Sequence, residues 1–365
     1  MKPLDISQNL FTRYENTQKV HHYYGLLALY GLAQTAAEAK SKRLMKKCAE
    51  LLDLYPNEMT HPHYNFENYR AGGNGKAWLI MMDAMGKLET EIRFSNEQKE
   101  IVREYAEKTL KAPVDRDGIM RMPGRPMLEQ IWIDVVTAVT PYMLFAGLVF
   151  HEDRYIDYAA EQCFKMYEIF LDPACGLLHQ SRGFMEDKTA FSHDHWSRGN
   201  GWGYVGLLEL VQYLPENSLH RAKAEQYFKE FSAAMLPYQG SNGLWRQEMT
   251  VETCWEESSG TGIILYGYGV GLRLGMLDKE SFQEPFEKGI QGLSDLCINK
   301  DFSTDNSCPG CLCPGAGENK GTIQAYINDK QPAHDEPHSY GALMLAMVEA
   351  HRNGMKDIIR LQGGF

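Results

Sequence analysis

Apolar residues recur along this chain at helical spacing, and strand-like alternation is nearly absent. The helices this predicts are of two alternating kinds. One kind is amphipathic with a wide charged face and covers residues 38–54, 94–111, 153–171, 217–236 and 279–299. Asp278 precedes the last of these, and Asn217 and Ser218 open the fourth, all suitable N-caps. The other kind is apolar nearly all round and rich in Gly, Ala and aromatic residues: 17–35, 74–87, 128–149, 197–213, 257–276 and 337–351. A helix that is apolar on every side is buried on every side. Six such helices alternating with five amphipathic ones, plus a weak closing segment at 353–362, predict a double ring. The expected fold is all-α, an (α/α)6 barrel with residues 1–365 as a single domain. An α-solenoid would show a tighter period and less uniformly apolar inner helices.

A second repeat lies in the connections. Three loops from an outer to an inner helix share a turn, a Gly, two apolar residues and a polar one. They read D-G-I-M-R (Asp117 to Arg121), C-G-L-L-H (Cys175 to His179) and N-G-L-W-R (Asn242 to Arg246). Asn or Asp before Gly signals a turn, and the apolar pair suggests a short strand-like lining. Pseudo-symmetry then places Arg121, His179 and Arg246 at equivalent points on one rim. The same loops lead to helix N-termini, which favour an anion. The rim therefore suits a ligand that carries a carboxylate, although each Arg taken singly is as well explained by stitching loops together.

Polar residues at the starts of the inner helices are the candidates for chemistry. Asp134 follows Trp132 and precedes the apolar run V-V-T-A-V-T-P-Y-M-L-F-A-G-L. Capping is one use for an Asp there; another is a partly buried acid with a raised pKa, suited to general acid work. The run S-H-D-H-W-S-R-G-N-G-W (Ser192 to Trp202) gathers Trp196, Arg198, Asn200 and Trp202. Flat aromatic faces around an Arg suit a sugar and its anionic group. A zinc reading of His193 and His195 lacks a third ligand. Glu256, Glu257 and Ser258 open the fifth inner helix, with capping the simpler use of the carboxylates. Tyr24 and Asn74 on the first two inner helices, and His338 on the sixth, complete the ring.

Composition narrows this little. The net charge is −11 with no Lys/Arg-rich run, so neither nucleic acid nor a membrane is an expected partner. The first ten residues lack an apolar core of the signal-peptide type, so the expected compartment is the cytoplasm, with the periplasm the alternative if a signal peptide was trimmed. Cys308, Cys311 and Cys313 cluster in C-P-G-C-L-C-P-G, where His334 or His338 could complete a zinc site. A tight loop with buried thiols is preferred, because zinc sites usually come as two spaced pairs. No metal and no cofactor are expected.

The run W-S-R-G-N-G-W ahead of an apolar helix resembles the W-x-R-G-N-G-W signature of the unsaturated rhamnogalacturonyl and glucuronyl hydrolases, glycoside hydrolase families 105 and 88. W-I-D, G-L-L-H, G-L-W-x-Q, E-S-S and D-E-P-H-S-Y-G-A-L-M-L-A match in the family's order, over residues 15–352. The resemblance implies an (α/α)6 barrel that removes a terminal 4,5-unsaturated uronic acid from lyase-generated acidic oligosaccharides by hydration. By motif, Asp134 is the general acid/base, while His179, Trp196 and Arg198 bind the sugar and its carboxylate. One acid suffices for this chemistry, where ordinary glycosidases need two. Two departures bear on which uronate and which neighbouring sugar are preferred. Q-S-R-G replaces the Trp- and Asp-containing segment after G-L-x-H, and Asn74 or Lys76 stands where the family tends to place a polar or acidic site residue. A sugar epimerase or conventional glucuronidase of the same fold, with His179 and His338 as paired bases in the epimerase, and a catalytically inactive sugar-binding barrel are the rival readings.

Overall fold

A computed structural model describes residues 1–18, 25–53, 66–90, 92–121 and 129–360, without the side chains of residues 26 and 66–73. The helices in chain order are α1 (Pro3–Thr17), α2 (Gly25–Glu38), α3 (Lys42–Asp53), α4 (Phe66–Ala84), α5 (Asn96–Leu110) and α6 (Val135–Phe150). They continue as α7 (Asp153–Phe170), α8 (Ser197–Tyr213), α9 (Arg221–Met235), α10 (Ser258–Arg273), α11 (Lys279–Leu296), the short α12 (Ile323–Asn328) and α13 (Pro337–Arg352).

The apolar helices α2, α4, α6, α8, α10 and α13 each contact the next, and α13 returns to α2, which closes an inner ring. The amphipathic helices α3, α5, α7, α9 and α11 pack outside it. This is the (α/α)6 barrel. Close approach at its centre depends on small residues. A Cβ on Gly341 of α13 would stand 2.4 Å from the backbone of Leu27 in α2. One on Gly260 of α10 would stand 2.6 Å from the Arg198 nitrogen in α8, well inside van der Waals contact. No helix among the described residues is long and apolar enough to cross a membrane.

The sixth outer helix differs from the expectation. The segment 355–360 is not helical, and α1 takes the outer place by packing on α13 and α2. Its buried stripe, Ile6, Leu10, Phe11 and Tyr14, has helical spacing but is diluted by polar neighbours. The chain ends meet at this seam. Ile358 donates its backbone N–H to the Met1 carbonyl at 2.9 Å, and the Met1 amine donates to the Ile358 carbonyl at 2.9 Å.

Six two-residue strands line the rim: β1 (Ile131–Trp132), β2 (Leu171–Asp172), β3 (Leu177–Leu178), β4 (Ser181–Arg182), β5 (Trp245–Arg246) and β6 (Glu256–Glu257). The predicted loop repeat is present in the backbone. Gly118, Gly176 and Gly243 all have positive φ, +75°, +76° and +90°. Each turns a small hairpin, seen in the bridges Val114 to Met120 and Gln239 to Trp245 and in the β2–β3 pair. A fourth copy follows α11, where Ile298 bridges Thr304. There Phe302 occupies the left-handed position at φ +61°, so the Gly that marks the other copies is missing. Asp305 is thereby the fourth member of the set formed by Arg121, His179 and Arg246.

Candidate active site

Asp134 stands at the N-cap position of α6, yet its side chain caps nothing. The residue is half-buried, while its Oδ2 is sealed from solvent without a hydrogen-bond partner among the described residues. Burial pushes the carboxyl up to about 7; the Arg198 charge opposes that shift and Asp194 adds to it. A neutral carboxyl with an unspent oxygen is equipped to give up a proton near neutrality.

The backbone carries His179 beside it. β1 pairs antiparallel with β4, Ile131 opposite Arg182 and Trp132 opposite Ser181. The ladder continues with Ile133 N–H donating to the Gln180 carbonyl at 2.8 Å, one residue before Asp134 and one after His179. His179 is half-buried, its Nδ1 has no hydrogen-bond partner among the described residues, and its ring stacks on Phe191 with centroids 5.6 Å apart. Trp132 is also half-buried and meets Phe184 edge-on at 5.8 Å.

The Trp196 to Trp202 segment differs from its expected role. Arg198 is 1% exposed. Its Nη1 donates to Ser259 Oγ at 2.9 Å and to the Cys308 carbonyl at 2.5 Å, and its Nη2 to the Pro309 carbonyl at 3.0 Å. The guanidinium also lies 4.6 Å from the Trp196 ring centroid. It is a tie between α8, α10 and the Cys308 loop, not an open clamp for an anion. Trp196, 1% exposed, likewise offers no free face to a sugar. Asn200 is fully buried: its Oδ1 accepts from Leu178 N–H at 2.7 Å, and its Nδ2 donates to the Leu178 carbonyl at 3.1 Å. It grips the residue before His179 instead of facing a ligand. Trp202 is nearly buried, and its carbonyl accepts from Thr137 Oγ1 at 3.0 Å. Asn74 is buried too and donates to the Thr137 carbonyl at 2.7 Å.

Sequence reading gave no such role to two of the buried acids that steady this frame, Asp194 and Glu248, and foresaw the capping use of the third, Glu257. Asp194, fully buried, accepts from Gln180 N–H at 3.3 Å and Trp196 N–H at 3.1 Å. Glu248, also fully buried, accepts the His195 backbone N–H through both oxygens, at 3.0 and 2.8 Å. Burial, with Asp194 nearby, pushes the Glu248 carboxyl up to about 8. Glu257 caps α10 by accepting from Ser259 N–H at 2.9 Å and also accepts from Cys308 N–H at 2.9 Å. Each lies within the polar runs at helix starts or in the G-L-W-R-Q-E stretch, but only the packing assigns its partner.

Around the rim, Arg121 is paired with Glu129. Arg246, half-buried on β5 opposite Glu256, makes no side-chain hydrogen bond or ion pair among the described residues. His338 holds Glu336 through Nδ1 at 2.6 Å. Burial disfavours the Glu336 carboxylate, yet His338 and Arg198 hold it down at about 2. Arg182 of the Q-S-R-G segment is buried against Asp115 and Asp117, so it braces the first hairpin. The Gln180 amide donates to the Cys311 carbonyl at 2.5 Å, which binds the cysteine loop to the His179 strand. His334 pairs with Asp305 at 2.6 Å, and Cys308, Cys311 and Cys313 are free thiols. Among the described residues, neither His334 nor His338 is grouped with these thiols at metal-ligand spacing. Tyr24 lies outside the described residues.

The sequence pattern of Glycosyl Hydrolase Family 88 matches residues 5–354. An unsaturated 3S-rhamnoglycuronyl hydrolase from Formosa agariphila is 32% identical over 117 residues, which are 32% of this chain and 30% of that protein. One from an Alteromonas species is 22% identical over 182 residues, 48% of this chain and 44% of that protein. The matched region thus spans less than half the length of either curated relative. A family 105 glycoside hydrolase from C. acetobutylicum superposes with a TM-score of 0.80 at 20% identity, over 96% of this chain and 99% of that one. An unsaturated glucuronyl hydrolase from Bacillus sp. GL1 gives 0.67 at 12% identity, over 99% and 98%. At such identities these structures speak to the fold.

Proposed function

This chain belongs to glycosyl hydrolase family 88, and from that membership we propose that it removes a terminal 4,5-unsaturated uronic acid from acidic oligosaccharides, the whole chain serving as one catalytic barrel. The observation that carries the reading is Asp134: a carboxyl with one sealed, unpartnered oxygen and a pKa pushed up to about 7, beside the His179 strand. The names of the curated relatives, both unsaturated rhamnoglycuronyl hydrolases, support the substrate class.

In this mechanism neutral Asp134 gives its proton to C4 of the enol ether. The C4=C5 π pair takes that proton, and positive charge develops at C5, shared with the ring oxygen. Asp134, now a carboxylate, takes a proton from water as the water oxygen bonds to C5. The hemiketal opens by breaking the bond between C5 and the ring oxygen, leaving a ketone at C5. The hemiacetal left at C1 then releases the neighbouring sugar. One group serves as acid and then as base, which suits a single raised pKa. The fixed positive charge of Arg198 keeps the Asp134 pKa from rising further. Arg246, half-buried and without a side-chain partner among the described residues, is the rim cation for the uronate carboxylate, and Trp132 offers an aromatic surface. Eight unpaired cysteines favour a reducing compartment, in keeping with a cytoplasmic enzyme.

The test is loss of the ultraviolet absorbance of the conjugated double bond in lyase-generated glucuronate- and galacturonate-ended oligosaccharides. Turnover by the wild type, with Asp134→Asn silent, is the expected result. No turnover of any such substrate, or equal turnover by the variant, overturns the reading.

A further inference from the structure

A cluster of metal-binding donors adjoins the His179 ring, whose centroid lies 5.2 Å from that of His195. The Asp172 carboxylate, the Cys175 thiol and the His195 ring each present a donor atom, and these atoms all lie within 4.8 Å of one another. The two segments that supply them are independent. Asp172 and Cys175 sit on the D-P-A-C-G hairpin turned by Gly176, and His195 comes from the approach to α8, its backbone N–H held by both oxygens of Glu248.

We infer that Asp172, Cys175 and His195 form a site for a zinc-type divalent cation. Zinc takes a mixed set of sulfur, nitrogen and oxygen donors, and tetrahedral N and O ligands stand roughly 3.3 Å apart. His195 Nε2 and Asp172 Oδ2 already stand 3.0 Å apart, so an ion replaces the bridging proton with little movement. The Cys175 thiol lies within 4.8 Å of both the Asp172 carboxylate and the His195 ring, so the three donors surround one point. In the Asp–His hydrogen bond alone, His195 Nδ1 carries the ring's lone pair. That atom is buried without a hydrogen-bond partner and faces Glu248 Oε1 at 3.7 Å. When Nε2 turns its lone pair to a metal, the ring proton moves to Nδ1, beside a fully buried carboxyl. An oxygen of that carboxyl would accept the proton on closing from 3.7 Å, the place a carboxylate usually takes behind a metal-bound imidazole. Asp172 and Cys175 are half-buried, which leaves room for entry and for water as the fourth ligand. On binding, the Cys175 thiol releases its proton to water and its freed pair bonds the ion; no electron transfer is involved.

The test is titration of the full chain, stripped with chelator, with cobalt(II) as a spectroscopic probe and then with zinc. The expected result is one saturable equivalent with a thiolate-to-cobalt charge-transfer band and the visible bands of tetrahedral cobalt, displaced by zinc. Cys175→Ser and Cys175→Ala should both lose the charge-transfer band, Asp172→Asn should bind about tenfold or more weakly, and Cys311→Ser should match the wild type. Circular dichroism confirms that each variant is folded. Absence of saturable binding by the wild type, or a band that survives in both Cys175 variants, overturns the site.

Discussion

Two neighbouring parts of the rim handle their polar groups in opposite ways. In the Trp196 to Trp202 segment, three Arg198 N–H groups and both ends of the Asn200 amide are committed to protein partners, while Arg198 Nε and Trp196 Nε1 stay unpaired among the described residues, both deep in the frame. In the Asp134 and His179 pair, half-buried side chains keep Asp134 Oδ2 and His179 Nδ1 without partners. A buried polar atom left unpaired is costly. Arg198 and Trp196 are only 1% exposed, whereas Asp134 and His179 are half-buried and within a ligand's reach, so Asp134 Oδ2 and His179 Nδ1 mark where a ligand or reacting group is expected. The most recognisable motif is therefore mostly frame, and the chemistry falls to less distinctive residues that the frame holds in place.

The sharpest break of that contrast is Asp134→Asn. It should lower kcat by about 10³-fold, in the range of losses on removing a general acid/base, while the fold stays intact. Its effect on stability has the opposite sign. Asp134 is neutral in the folded state up to about pH 7 but ionises near its ordinary 3.8 when unfolded. The wild type is thus free of cost below the unfolded pKa, loses stability as pH rises between the two values, and carries the full cost above about 7. Urea melts should show Asp134→Asn gaining on the wild type across that window and levelling off above it.

Arg198→Met should act through the frame and destabilise by about 3–5 kcal/mol, because it strips a buried charge from its partners. A melting temperature close to wild type, with only KM raised, would instead restore Arg198 as a substrate clamp. Asn200→Ala should cost about 1–3 kcal/mol and lower kcat more than it raises KM, through slack in the His179 strand. The smallest expected effect on folding is that of Arg246→Met, within about 0.5 kcal/mol of the wild type. Its signature is a KM for unsaturated uronates raised about tenfold, the worth of roughly one charge-assisted hydrogen bond.

The ring was legible because inner helices, buried on every side, are apolar on every side, a pattern with few other causes. The three-fold loop repeat was legible because Gly118, Gly176 and Gly243 are visible where the backbone needs positive φ. Its fourth member escaped because Phe302 adopts that conformation without the telltale residue. The closing helix was misplaced for a related reason: the stripe of α1 is short and diluted, whereas the tail at 353–362 offered an apolar suggestion without a fold to satisfy. Within the site, residue types were readable but their loyalties were not. Arg198 bonds carbonyls 110 and 111 positions away, and nothing in W-S-R-G-N-G-W announces Cys308 and Pro309 as its partners. The meeting of Asp172, Cys175 and His195 likewise exists only after the hairpin and the α8 approach have folded together.

The account rests on burial having tuned Asp134 into an acid for neutral pH, and the pH dependence of kcat/KM tests this most directly, since it reports the ionisations of the free enzyme. The expected profile falls on its alkaline side with a midpoint at about 7. A rate that holds level well beyond that pH, or that already falls near the ordinary carboxyl value of 3.8, contradicts it.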